Sequence, residues 1–302
     1  MPKTRPLIFK QKRPFAIAQD RRALVARLIN RCHRVYRNDP DDIRTFENTI
    51  ETYLDPSNQL KYVHMYFAKH VGCWRRVRQR LGFPSDGPVW SIGAGPRLCL
   101  MGWFFDEAPK FGQKIVALDI APWEKLRNLP EYTALRNHIL QSRSSIQNKS
   151  PRFFPKTLPP QGKLLSLKRA RPITPSELPS NATVLFPMVL NHVVGAIRPH
   201  PQRESVFSWL RAVTKRVRRV VIIDIQHDTS TDEFWTDLWI GIGLSAPIQY
   251  YKFTFNPYAS GFQHCYSGKY KLLRTGLKYP QFCTLSGLVH TKKDGWRYFR
   301  DE

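Results

Sequence analysis

The stretch that most constrains this chain runs from Val89 to Phe105. A short apolar run, Val89–Ile92, enters Gly93-Ala94-Gly95-Pro96, and Leu98–Phe105 continues as an apolar helix. A strand that delivers Gly-x-Gly straight into a helix puts bare backbone at the carboxyl edge of a sheet. Glycine permits the tight turn and lets a ligand approach where a Cβ would collide. The helix N-terminus then offers unpaired N–H groups to an anionic part of that ligand. Three further apolar runs read as strands: Lys114–Ile120, Thr183–Leu190, and Arg219–Ile225, which contains Asp224. Helix-length segments separate them, so the connections are crossovers. The expected fold is α/β, a doubly wound and mostly parallel sheet with helices on both faces.

A basic lead-in precedes this unit. Residues 1–19 hold Lys3, Arg5, Lys10, Lys12 and Arg13 and no acid before Asp20. Such a segment suits either a polyanion-binding arm or an organelle-targeting leader; Pro2, Pro6 and Pro14, with no serine, favour the arm. From Asp20 the apolar residues Leu24, Val25, Leu28, Ile29, Cys32, Val35 and Tyr36 recur at helical spacing. Further helices are expected over Asp41–Leu54 and Asn58–Leu81, the latter ending in Arg75, Arg76, Arg78 and Arg80 before the stop signals Gly82 and Pro84. The expected division is a basic arm and helical lead-in over 1–85, and the α/β domain over 86–302.

Between Asp119 and Thr183 lie 63 residues (183 − 119 − 1), more than one helix and one strand require. Within them Gln141–Pro160 is polar and rich in serine and proline, and Gln161–Leu167 is the best candidate for a third strand. A long basic, proline-rich insertion over about 141–180 is therefore expected, and insertions of that length tend to be functional loops. From Gly241 aromatic runs alternate with breakers at Tyr250–Phe255, Phe262–Tyr266, Tyr270–Leu273, Gly287–His290 and Trp296–Phe299. These read as antiparallel strands that complete the sheet.

An acid closing the strand after the glycine loop is placed to accept hydrogen bonds from ribose hydroxyls. Asp119 follows Gly93 by 26 residues (119 − 93), which leaves room for one helix and a turn. The dinucleotide fingerprint wants a small residue where Leu98 stands, which argues against NAD or FAD. The string Val89-Trp90-Ser91-Ile92-Gly93-Ala94-Gly95-Pro96-Arg97, followed by Val116-Ala117-Leu118-Asp119-Ile120, resembles motif I and the following acid of class I, Rossmann-like S-adenosylmethionine-dependent methyltransferases. The resemblance covers roughly residues 85–255. It implies that Gly93, Ala94 and Gly95 cradle the methionine portion of S-adenosylmethionine and that Asp119, with Ile120 beside it, binds the ribose. Ser91 stands where the family often has an acid, and Arg97 where it usually has glycine; both belong to the implied cofactor set. Two roles are open to Arg97, a clamp on the cofactor carboxylate and a surface arginine at a helix start.

The run Val184–Leu190 with Asn191 and His192 is similar to the family's motif IV, where the acceptor atom meets the methyl group. The resemblance makes Asn191 a holder of the acceptor N–H and His192 an acceptor of the released proton. Capping of a following helix by Asn191 and packing of a neutral His192 are the plainer alternatives. Phe255-Asn256-Pro257-Tyr258 lacks a proline of the amino-methylating signature, and it lies too late in the chain. No Cys-x-x-Cys, no Gly-Lys-Ser/Thr loop and no Gly-x-Ser-x-Gly elbow is present, so structural zinc, P-loop ATPase and elbow-hydrolase readings find no support.

Forty-eight Lys and Arg against 23 Asp and Glu leave a formal charge of +25, for which a polyanion is the default neutraliser. The basic clusters lie in the arm, Arg21–Arg37, Arg75–Arg80, Lys163–Arg171 and Arg211–Arg219, near the aromatics Tyr36, Trp74 and Trp209. Aromatics can stack unpaired bases, and no DNA-groove motif is recognisable, so the expected partner is RNA, ribosomal RNA in particular. No apolar run approaches the ~18 residues of a membrane span. Five scattered cysteines suit a reducing compartment, so a cytoplasmic protein is expected, with organelle and nucleus as alternatives. The leading expectation is an RNA methyltransferase. A catalytically degenerate RNA-binding or ribosome-assembly protein and a small-molecule methyltransferase are its rivals.

Overall fold

The computed structural model describes residues 7–8, 19–36, 55–84, 86–119, 123, 125–140, 146–149, 173–187, 203–225, 237–238, 240–243, 251–255 and 283–300. Within these the strands are β1 (Leu7–Ile8), β2 (Val89–Ile92), β3 (Ile115–Leu118), β4 (Ile146–Lys149), β5 (Thr183–Pro187), β6 (Arg219–Ile225), β7 (Tyr251–Phe255), β8 (Cys283–Thr291) and β9 (Gly295–Arg300). The helices are α1 (Gln19–Tyr36), α2 (Pro56–Leu81), α3 (Leu98–Trp103), α4 (Pro130–Leu140) and α5 (Arg203–Arg216).

All nine described strands join one sheet. Its central order is β4-β3-β2-β5-β6-β8, parallel from β4 through β6, with β8 antiparallel to β6. The far side of β8 is shared: β7 pairs with its first half and β9 with its second, both antiparallel. The short β1 adds a parallel edge on β9, so two residues of the basic arm belong to the sheet. The fold is the Rossmann-like doubly wound sheet with antiparallel C-terminal strands. The chain runs outward from β2 through β3 to β4, then returns to β5 on the other side of β2. Reversal of strand order opens a crevice outside the carboxyl ends of β2 and β5, where ligands bind in sheets of this kind.

The strands β2, β3 and β5 are buried along their whole length, which is why they read as unbroken apolar runs. Alternate residues feed two cores. Val89, Ile115, Ala117, Leu185, Val221 and Ile223 pack toward α1–α4. Trp90, Val116, Val184, Phe186, Val220 and Ile222 pack toward α5. The lead-in helix α2 shares the first core through Val63, Phe67, Val71 and Trp74. It lies so close to α3 that a Cβ on Gly102 would stand 2.5 Å from the Val71 carbonyl oxygen and 2.7 Å from the Trp74 Cβ.

One expectation about the insertion needs correction. The strand beyond β3 is Ile146–Lys149, inside the stretch read as polar insertion, and it pairs with β3 from Ile115↔Ile146 to Leu118↔Lys149. Gln161–Leu167 lies outside the described residues, as do the helix expected over 41–54 and the strands expected over 262–266 and 270–273. The sequence Ile-Gln-Asn-Lys suits this place because β4 ends the sheet, and polar side chains are usual on an edge strand. Among the described residues no helix is long and apolar enough to cross a membrane.

Candidate functional site

β2 ends at Ile92, and the backbone turns through Gly93 (φ 70°), Ala94, Gly95 (φ 50°) and Arg97 (φ 61°) before α3 begins. Three left-handed residues in five make a turn that L side chains resist, and glycine takes up two of them at little cost. The turn is tied to the next strand. The Ala94 N–H donates to the Leu118 carbonyl at 2.9 Å, and the Arg97 N–H closes back onto the Ala94 carbonyl at 2.8 Å. Below, the Tyr132 hydroxyl donates to the Pro96 carbonyl at 2.5 Å.

Asp119 follows β3 directly. Its Oδ2 accepts the Gly95 N–H at 2.6 Å, and its Oδ1 accepts the indole N–H of Trp123 at 3.1 Å. The carboxylate thus stands over the glycine turn at the carboxyl edge of the sheet, partly exposed. Trp123 is 8% exposed. Its ring lies 3.7 Å from where a Gly95 Cβ would be, and its backbone is itself left-handed at φ 49°. On α2, Tyr62 meets that indole with centroids 5.2 Å apart.

The structure therefore brings Gly93, Ala94, Gly95 and Asp119 to one place. Ser91 sits beneath them, fully buried, with its hydroxyl 3.0 Å from the Cys99 thiol of α3. Burial pushes that thiol up to about 12 from an ordinary 9.0, so it stays protonated and pairs with Ser91 as a neutral partner. Arg97 is the N-cap of α3 without a side-chain cap, and its carbonyl accepts the Met101 N–H at 3.0 Å. Ile120, Asn191 and His192 lie outside the described residues; Asn191 and His192 follow the end of β5 at Pro187 by four and five positions in sequence. Asp224 pairs with Ser286 across β6 and β8. Trp123 is the residue that sequence reasoning missed, because a lone tryptophan in Ala-Pro-Trp-Glu carries no periodicity that singles it out.

Several arginines of the Arg75–Arg80 and Arg211–Arg219 clusters are engaged within the protein. Arg75 is 1% exposed and grips Asp106 through Nε and Nη2 at 2.6–3.0 Å, with its guanidinium over Phe105. Arg78 pairs with Glu107 at 3.0 Å and lies over Trp103. Arg218 and Arg219 both reach Asp86, at 2.5 and 3.3 Å. The two guanidinium donors outweigh the opposing effect of burial and hold the Asp86 carboxyl below its usual value. Arg211 bonds Glu204 and the Gly241 carbonyl. Of the aromatics offered as base platforms, Trp74 is fully buried, while Trp209 donates to the Ile173 carbonyl and sits edge-on to Phe186. Standing exposed are Arg27 and Arg31 of the Arg21–Arg37 cluster, Lys215 and Arg216 at the end of α5, and Lys110, Lys292 and Lys293. No group of three or more acidic, histidine or cysteine side chains suited to a metal ion occurs among the described residues.

No protein-family model and no curated protein sequence matches the chain. Among solved structures it is similar to a putative O-methyltransferase from Klebsiella pneumoniae, with 9% identity, 87% of this chain and 88% of that one covered, and a TM-score of 0.37. It is similar to the Synechocystis magnesium protoporphyrin IX methyltransferase with bound SAH, with 10% identity, 76% and 86% covered, and a TM-score of 0.36. It is also similar to a putative RNA methyltransferase from Pyrococcus horikoshii, with 9% identity, 87% and 99% covered, and a TM-score of 0.35. At such scores the site is read from this chain's own residues.

Proposed function

We propose that this protein is an S-adenosylmethionine-dependent methyltransferase whose substrate is RNA. One observation carries the cofactor half: the Asp119 carboxylate is folded over the Gly95 N–H at the switch point of the sheet. The residues there fit an adenosine-bearing cofactor. Gly93 and Gly95 take the left-handed backbone that the tight turn requires, and Asp119 presents the acceptor that a ribose diol requires. When bound, S-adenosylmethionine supplies an electrophilic methyl group on a sulfonium. The protein's own contribution is alignment for an in-line displacement, which can be worth up to ~7–11 kcal/mol. In this reading Asn191 holds the acceptor N–H and steers its lone pair, and His192 takes up the released proton.

Charge supports the RNA half. The four acids Asp86, Asp106, Glu107 and Glu204 are each engaged by arginine, and the exposed cations are additional to those pairs. A surplus of +25 then favours a phosphate backbone through counterion release. The test supplies methyl-labelled S-adenosylmethionine with either total RNA or a panel of small hydroxyl and amine acceptors. Label in RNA, lost in Asn191→Ala, is the expected result; label only in small molecules refutes the RNA half.

Arg97 and Trp123 favour a second reading, a fold that binds RNA without catalysis. The first puts a side chain at a left-handed position that suits glycine, and the second occupies Asp119 Oδ1. In that case S-adenosylhomocysteine does not bind while RNA binding keeps its steep salt dependence.

A further inference from the structure

We infer that Trp123 is a positioning residue: its indole N–H holds the Asp119 carboxylate in the pose that receives ribose hydroxyls, and Tyr62 of the lead-in helix braces the indole. The inference rests on the nucleoside reading of the site and adds to it a residue that no cofactor motif contains. An ionised carboxylate has about four acceptor positions. The Gly95 N–H at 2.6 Å on Oδ2 and the Trp123 N–H at 3.1 Å on Oδ1 together fix the plane of the carboxylate that a vicinal diol would meet. A carboxylate held in advance loses less freedom when the ligand arrives, which is the source of affinity in a preorganised site.

Two observations set Trp123 apart from an ordinary buried tryptophan. Its backbone adopts φ 49°, an outlier for a bulky residue, and strain of that kind persists only where surrounding structure enforces it. The enforcing structure is an aromatic cluster on α2. Tyr62, Tyr66 and His70 recur every fourth residue on one helical face. Their centroids lie 4.7 Å (Tyr62–Tyr66), 5.4 Å (Tyr66–His70) and 5.7 Å (Tyr62–His70) apart, and Tyr62 of this cluster meets the indole at 60°. The lead-in helix thereby reaches the cofactor edge without contributing a ligand of its own.

The test measures calorimetric affinities of adenosine and 2′,3′-dideoxyadenosine for the full chain and for Trp123→Phe, which keeps an aromatic six-membered ring and deletes the donor. Trp123→Phe is expected to weaken adenosine about tenfold (about 1.4 kcal/mol) and to leave dideoxyadenosine unchanged, because only the hydroxyls read the carboxylate. Equal adenosine affinity in the two proteins overturns the inference while leaving the nucleoside site intact. An equal loss for both ligands makes the indole a packing surface and also overturns it. A wild-type protein that binds neither adenosine nor S-adenosylhomocysteine overturns the site reading itself, and the inference with it. If Trp123→Phe does not fold, Tyr62→Leu removes the brace and keeps the donor. It is expected to cost about threefold, again only for adenosine, and no loss contradicts the role.

Discussion

Arg97 and Trp123 are the non-glycine residues with positive φ among those described, and they flank the same site. At Arg97 the left-handed backbone costs about 1–2 kcal/mol, partly offset because arginine loses less backbone freedom on folding than glycine does. Arg97→Gly is therefore expected to stabilise the fold by about 0.5–1 kcal/mol and to raise Tm by about 1–4 °C, read by thermal denaturation. The same variant separates the two roles open to the side chain. Weaker S-adenosylhomocysteine binding with adenosine binding unchanged identifies a carboxylate clamp, and unchanged binding of both identifies a surface arginine. Beneath the turn, the Cys99 thiol at about 12 gives a pH prediction. Well below pH ~8.5 the thiol is protonated in both the folded and the unfolded chain, so the group contributes no pH dependence there. Above that the unfolded thiol ionises first, and stability falls as pH rises toward the folded value. Denaturation midpoints at pH 8 and 10.5 for wild type and Cys99→Ala are expected to show a smaller pH loss in the variant; an equal loss contradicts the assignment.

At the scale of elements, the contact between α2 and α3 joins the lead-in to the cofactor loop. Gly102→Ala places a methyl 2.5 Å from the Val71 carbonyl oxygen, and backbone cannot yield as a side-chain tip does. The helices must part, at a cost of about 1–3 kcal/mol in chemical denaturation. Because α3 carries the glycine turn at its start, S-adenosylhomocysteine affinity is expected to fall as well. The strands feeding the site were legible because burial on both faces writes them as apolar runs: Val89–Ile92, Ile115–Leu118, Thr183–Pro187 and Arg219–Ile225. β4 was not, since one isoleucine in four residues is all that an edge strand shows. The arginine-rich end of α2 was legible as a helix end but not in its role. Arg75 finds Asp106 at a separation of 31 residues, a pairing that only the packing of α2 on α3 creates. Trp123 escaped notice for a related reason, because its contact with Asp119 depends on a left-handed turn that no spacing announces.

At the scale of the whole molecule, internal ion pairs leave the excess of +25 unchanged, since each pair removes one charge of either sign. They do engage Arg75, Arg78, Arg211, Arg218 and Arg219, so the exposed cations include Arg27, Arg31, Lys215, Lys292 and Lys293. RNA affinity is expected to fall by about a hundredfold or more between 50 and 200 mM salt, as several released counterions require. Paired replacement of Lys292 and Lys293 by glutamine is expected to flatten that slope, measured by filter binding or anisotropy; a slope near zero in the wild type contradicts the RNA assignment. The meeting of the glycine turn with Asp119 was legible from the sequence, because a turn and an acid at the ends of neighbouring strands are fixed by local sequence. The acceptor half rests on Asn191 and His192 and was legible only as a resemblance.

The claim on which the account stands is a nucleoside seat beside the Gly95–Asp119 contact. Calorimetric titration of S-adenosylhomocysteine into wild type and Gly95→Asp tests it most directly, because a side chain at this left-handed position meets the Trp123 ring and its carboxylate repels Asp119. Micromolar binding by the wild type, lost by at least about a hundredfold in the variant (about 2.7 kcal/mol), is the predicted result. No heat of binding to folded wild type, or equal affinity in both proteins, would contradict it.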